Sequence, residues 1–255
     1  MKLPLSASLL LVLFLFLSTT ALAQTPRVKP VLHPRPASPR NTELGQTAVV
    51  IDETLSVLRD KPSLMADPIQ RMHRGRRIQI MGIVEADGVK FYRVTAPPSN
   101  FGWVQSDAVF GKFRPGDEER LAKLVQASSG FDQIELATEF FNLFPESKFR
   151  PSILLLFGDL IEEASFKLTR DAGNKLKGKE MAASAAPIYS YYLNFVSLDR
   201  YRKLGIAFLF NSNTRQFHYD GSAWNELTKK YPASPEAAEA KKRIETLKAK
   251  MEAVK

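Results

Sequence analysis

Near Gly116 the spacing of apolar residues changes, and that change sets what this chain can build. Before it, from Thr47 to about Phe113, apolar residues come in short β-branched runs that tend to alternate with polar ones. After it they recur every three or four positions. A period of two sends successive side chains to opposite faces of a strand, whereas a period near 3.6 gathers them on one helix stripe. The sequence therefore reads as a strand-built domain over residues 47–113 and a helix-built domain over 114–255. Two segments of another character precede both.

Residues 1–23 read as a processing signal. Lys2 supplies the positive end, Leu9 to Leu17 is an unbroken apolar run, and Ala21-Leu22-Ala23 offers small residues for cleavage after Ala23. The run is well short of the about 20 residues that a spanning helix needs. No later apolar stretch approaches that length without charges, so the expected mature chain is exported, periplasmic or extracellular, with no transmembrane segment. Residues 24–46 hold Pro26, Pro30, Pro34, Pro36 and Pro39 among Arg27, Lys29, Arg35 and Arg40. That is the composition of an extended, basic, proline-rich linker.

The 255 residues include no cysteine, which excludes a disulfide scaffold, a thiol nucleophile and an N-terminal cysteine lipid anchor. Stability in an oxidising space must then come from packing. The formal charge of +9 favours acidic partners. Export turns that preference towards peptidoglycan or another anionic wall polymer rather than nucleic acid.

Five strands are expected in the first domain: Ala48 to Ile51, Leu55 to Leu58, Arg77 to Val84, Lys90 to Val94 and Phe101 to Val104. Asp87-Gly88 marks a hairpin turn, and Pro97-Pro98-Ser99-Asn100 another loop. Five short strands hide their edges best by closing into a small barrel. The order of four pieces resembles the bacterial SH3-like domains. Leu55-Ser56-Val57-Leu58-Arg59-Asp60-Lys61-Pro62 is similar to their opening Leu-Asn-Val-Arg-x-x-Pro. Gly75 to Ile80 is similar to their Gly-x-x-Val-x-Val strand, Asp87 to Val94 to their hairpin, and Phe101-Gly102-Trp103-Val104 to their closing Gly-Trp-Val. Phe91 or Tyr92 is the aromatic nearest to the tryptophan of the family's hairpin, and Leu58 interrupts the opening motif. The resemblance implies binding of peptides or wall material.

In the second domain, Asp117-Glu118-Glu119 forms an acidic first turn and Ser128-Ser129-Gly130 ends that helix. Ile134, Ala137, Phe141 and Phe144 mark the next, stopped at Pro145. Pro151 opens a third that is apolar nearly all round at its start, and so should be central. Asp171 to Lys179 reads as a charged surface connection. Asp220-Gly221 turns into a helix bearing Trp224, and Ser234-Pro235-Glu236 starts the last. Phe144-Pro145-Glu146-Ser147 echoes Tyr231-Pro232-Ala233-Ser234. Leu154-x-x-Phe157-Gly158-x-x-Ile161 likewise echoes Tyr201-x-x-Leu204-Gly205-x-x-Phe208. These patterns resemble tetratricopeptide-type repeats of envelope-assembly proteins, which implies a helical array with a concave face for envelope protein partners. The expected fold class is thus multidomain β + α, a small SH3-like β-barrel followed by an all-α helical-hairpin, TPR-like array.

The densest positive patch is Arg71-Met72-His73-Arg74-Gly75-Arg76-Arg77. Arginine suits bidentate contact with phosphate or carboxylate, although charge on a strand edge also blocks edge pairing. Arg71, Arg74, Arg76 and Arg77 are the candidate anion ligands, with Tyr92 and Trp103 as candidate aromatic ones. Trp103, on the closing strand of a small barrel, is expected to face the core. No His-Glu-x-x-His, Gly-x-Ser-x-Gly or phosphate loop occurs. Asp159, Glu162 and Glu163 could pair as glycosidase carboxylates, which must stand about 5–9.5 Å apart. Adjacent glutamates on a helix read more simply as a solvated face, and His218 as a capping or surface histidine. The expectation is a non-enzymatic envelope binding or scaffold protein without metal or cofactor. The rivals are a purely structural protein and a cell-wall-active enzyme, or an accessory that positions a peptidoglycan hydrolase.

Overall fold

The computed structural model describes residues 42–96, 100–176 and 185–252. The expected signal segment, most of the expected linker, the loop residues 97–99 and residues 177–179 of the expected surface connection lie outside them. Asp171 to Lys175, the first part of that connection, continue a helix instead.

Seven strands form one antiparallel sheet: β1 (Thr47–Val50), β2 (Val57–Arg59), β3 (Pro68–Arg71), β4 (Arg77–Ala86), β5 (Val89–Ala96), β6 (Asn100–Gln105) and β7 (Val109–Phe110). Their order is β3-β2-β6-β5-β4-β1-β7. Alternation fixes the inner face, where Leu58, Ile78, Ile80, Tyr92, Val94 and Val104 are buried together. Asp87 and Gly88 both take positive φ, 53° and 71°, as the tight β4–β5 turn requires. A bulge between Ile80 and Gly82 pushes Met81 outward. The last residues of the expected linker fold onto this sheet: Gly45 N–H donates to the Ile80 carbonyl, and Glu43 takes the Tyr92 hydroxyl (3.1 Å) and the Lys90 ammonium (2.6 Å).

Helices α1 (Asp117–Ala127), α2 (Gly130–Leu143) and α3 (Arg150–Lys175) follow, then short α4 (Ile188–Leu193), a 3-10 turn Val196–Leu198 and α5 (Asp199–Arg202). An antiparallel hairpin comes next, β8 (Phe208–Asn211) with β9 (Gln216–Tyr219), before α6 (Ser222–Lys230) and α7 (Pro235–Glu252). α3 lies at the centre, packed by α2, α6, α7 and β9. At Gly158 it passes directly beneath the indole of Trp224 on α6, so close that a Cβ there would sit 2.2 Å from Nε1.

The expected fold class is corrected on both halves. The sheet is not a closed five-stranded SH3-like barrel but a seven-stranded curled half-barrel. β3 reads Pro-Ile-Gln-Arg and is mostly exposed, and β7 has two residues, so neither shows as alternation in the sequence. The outer side of the β1–β7 edge is not closed by strands. It contributes Val49, Ile51 and Phe110 to the core of the helical part. That part is not an all-α TPR-like array but mixed α/β. The second glycine motif fails as a helix because the helix Asp199–Arg202 has four residues and stops three positions before Gly205, which sits in a turn at φ 76°, and Phe208 then enters a strand. Only the first motif, at Gly158, makes the close helix approach that both were expected to make.

Candidate ligand-binding face

The four arginines of the basic loop do not form one patch. Arg71 donates to the carbonyls of Glu53 and Thr54, and Arg76 to that of Ala96. Arg74 turns under α2, where it meets Asp132 at 2.5 Å and Glu135 at 3.0 Å while its Nε holds the Ile51 carbonyl. Its side chain is only 13% exposed, so it works as a cross-tie between sheet and helices. Arg74→Ala is expected to lower stability by about 1–2 kcal/mol, a buried-pair penalty discounted for the exposure of both carboxylates. A denaturant midpoint measured beside Arg74→Lys checks it, with lysine recovering part of the loss.

Tyr92 is fully buried on the inner face, and its hydroxyl is pushed up to about 12, first by burial. Trp103 contradicts the inward expectation. Gly102 and Val104 face the core, so Trp103 lies on the outer face and is half-buried. Arg77 is exposed on that same outer side of β4, opposite Val49.

The register assembles a row on this outer face. Arg59 of β2, Trp103 of β6, Arg93 of β5 and Gly82 of β4 stand side by side. A parallel row holds Phe101, Thr95, Gln79 and Thr47. Directly opposed side chains are about 5 Å apart, and Phe101 and Trp103, two residues along one strand, roughly 6.6 Å. Phe101 is 62% exposed. Arg59 is partly committed, since its Nη1 holds the Ala66 carbonyl at 2.6 Å. Arg93 is exposed and has no carboxylate at ion-pair distance among the described residues. Gly82 leaves it space: a Cβ there would come within 3.3 Å of the Arg93 Cβ.

The second row runs into a cleft of about 380 Å³ between the β1 edge and α2, lined by Thr47, Arg77, Lys112, Phe113, Glu139 and Asn142. Burial pushes the Glu139 carboxyl up, and the Asn142 hydrogen bond and Arg77 oppose that. Burial likewise raises Glu135 against the pull of Arg74. The face therefore joins two aromatic rings, a free guanidinium and a cleft whose walls carry Arg77 and Lys112 beside the Glu139 carboxyl.

No family model, curated protein or solved structure matches this chain.

The carboxylates of α3 do not converge. Asp159 pairs with Arg243 at 3.1 Å and Glu163 with Lys167 at 2.7 Å, while Glu162 turns inward. Glu162 accepts from Lys250 (2.8 Å) and from Tyr219 N–H (2.9 Å), and stands 3.4 Å from Nδ1 of His218. His218 is 1% exposed, so it is a core residue and not the surface histidine the sequence suggested. No cluster of three metal-ligating side chains occurs among the described residues. Sequence reasoning missed Arg59, Arg93 and Phe101 as members of one surface. The available signal was alternation: with Tyr92 and Val104 inward, Arg93, Phe101 and Trp103 must face out together.

Proposed function

We propose that this chain is an exported, non-enzymatic binding protein of the cell envelope. Its outer sheet face takes an anionic wall polymer, peptidoglycan or a phosphate-bearing one, and its helical part meets protein partners. The single observation that carries the binding reading is Trp103 set beside the unpaired Arg93, with Phe101 exposed one register step away. Aromatic faces stack on ring units, and guanidinium forks take carboxylate or phosphate. Export is supported by the Lys2, Leu9 to Leu17 and Ala21-Leu22-Ala23 pattern. No helix of the described residues is long and apolar enough to cross a membrane. The hydrolase alternative gains nothing from α3, where each carboxylate has its own cation.

Trp224 is 2% exposed and Trp103 half-buried, and the chain has two tryptophans, so ligand-induced change in indole emission reports Trp103. Titration with solubilised wall polymer is expected to change that emission. Trp103→Ala and Arg93→Glu are each expected to weaken sedimentation with wall material by roughly tenfold. Wall binding that stays at full strength in both variants would sink the reading.

A further inference from the structure

Exposed apolar side chains away from the sheet concentrate in one stretch. α4 and the turn after it present Ile188 (40% exposed), Tyr189 (50%), Leu193 (40%) and Val196 (70%). Between them Tyr192, Phe195 and Leu198 are buried, and the Tyr192 ring stacks on Phe210 at 4.8 Å. The segment is therefore anchored by its inner residues, while Leu193 and Val196 stay exposed at the end of the helix and in the turn after it. Val196 stands on the rim of two hollows. One, of about 600 Å³, is lined by Lys175, Leu176, Tyr191 and Phe195, and the other by Lys167, Arg200 and Tyr201.

Around this tip Lys167, Lys175, Arg200 and Arg202 outnumber the acidic Asp171 and Asp199. Lys175 lies over the Phe195 ring, and the Arg200 guanidinium over the rings of Phe131 and Tyr201. Neither these two nor Lys203 has a carboxylate at ion-pair distance among the described residues. Arg202, paired with Asp199, donates to the Leu193 carbonyl and ties the cationic turn to the apolar one.

We propose that this tip docks on an anionic lipid bilayer, with Leu193 and Val196 entering the headgroup boundary and Lys175, Arg200 and Lys203 meeting lipid phosphates. Peripheral attachment joins buried apolar area to attraction for anionic lipid, and tyrosine suits the level of the headgroups. An exposed apolar turn flanked by Lys175 and Arg200, neither of them paired with a carboxylate among the described residues, fits a negatively charged occupant. An apolar protein groove would leave these cations unpaired.

The absence of cysteine makes the test specific to one position. The full chain carrying Val196→Cys is labelled with an environment-sensitive fluorophore and mixed with phosphatidylglycerol-containing vesicles. Its emission is expected to shift to the blue with these, and not with phosphatidylcholine alone. Added salt should weaken the shift, and Leu193→Asp in the same labelled chain should make the partition roughly tenfold weaker. A label at Lys248→Cys, exposed on α7, is the control and stays in water. The basic N-terminal segment could also bring the chain to vesicles, but it would not bury a label at position 196. Association with the Val196 label still in water overturns the proposal, as does no association at all.

Discussion

Gly158→Ala is expected to destabilise the protein by about 2 kcal/mol, although alanine is the better helix former. Two effects oppose each other. Alanine inside a helix gains about 1 kcal/mol over glycine, while forced overpacking costs about 1–3 kcal/mol and sometimes more. The contact decides the sign, because the new Cβ would lie 2.2 Å from Nε1 of Trp224 and 2.6 Å from two further indole atoms. The indole is rigid and 2% exposed, so it cannot swing clear as a lysine end would. Melting temperature should fall by roughly 4–8 °C in a chain of this size. Trp224→Leu in the same chain should recover part of that loss, since it removes the ring that the methyl strikes. Additive losses in the double variant would place the damage elsewhere.

Glu162→Ala is expected to lower stability by about 3 kcal/mol. The change leaves the Tyr219 N–H, His218 and Lys250 facing a site where their shared acceptor stood. Burial pushes the Glu162 carboxyl up, but the hydrogen bonds from Lys250 and Tyr219 N–H and the Lys250 charge hold it below its ordinary range. A carboxylate lowered in this way contributes stability that is complete above its ordinary value. That contribution is lost as pH falls through the lowered folded value. Glu162→Gln has no such titration, so the stability gap between it and the parent chain should narrow as the medium is acidified through that window. Chemical denaturation at a series of acid pH values measures the gap. A gap that widens or stays constant would refute this account of Glu162.

The local texture of the fold was legible wherever one residue's neighbours along the chain decide its state. Asp87-Gly88 gave its turn, Pro145 ended α2, and Pro151 opened α3. What could not be read was how elements meet. Whether five strands close or seven stay open depends on β3 and β7, which are too short or too polar to carry a pattern. It also depends on Val49 and Phe110, whose apolar character serves either a barrel interior or a helical core equally well. The glycine motif at Gly205 had the spacing of its partner at Gly158. It lacked the helix length before it, and spacing alone does not supply that. The candidate face was half legible. Trp103 stands out in the sequence as the aromatic of a closing strand, but its facing is set by alternation against the inward Gly102 and Val104, which places it on the outer side. The basic loop shows the opposite error, since clustering in sequence said nothing about Asp132 and Glu135, which claim Arg74 from α2.

The shared seam between sheet and helices also orders events as the chain folds. Val49, Ile51 and Phe110 point away from the sheet's own interior, and their cover is made by helices that come later in the chain. A nascent chain can pair β1 with β4 and β7 once Phe110 has emerged, yet that surface stays bare until α2 is complete at Leu143. A chain that emerges in N-to-C order therefore carries an uncovered apolar edge on its sheet until α2 arrives to close it.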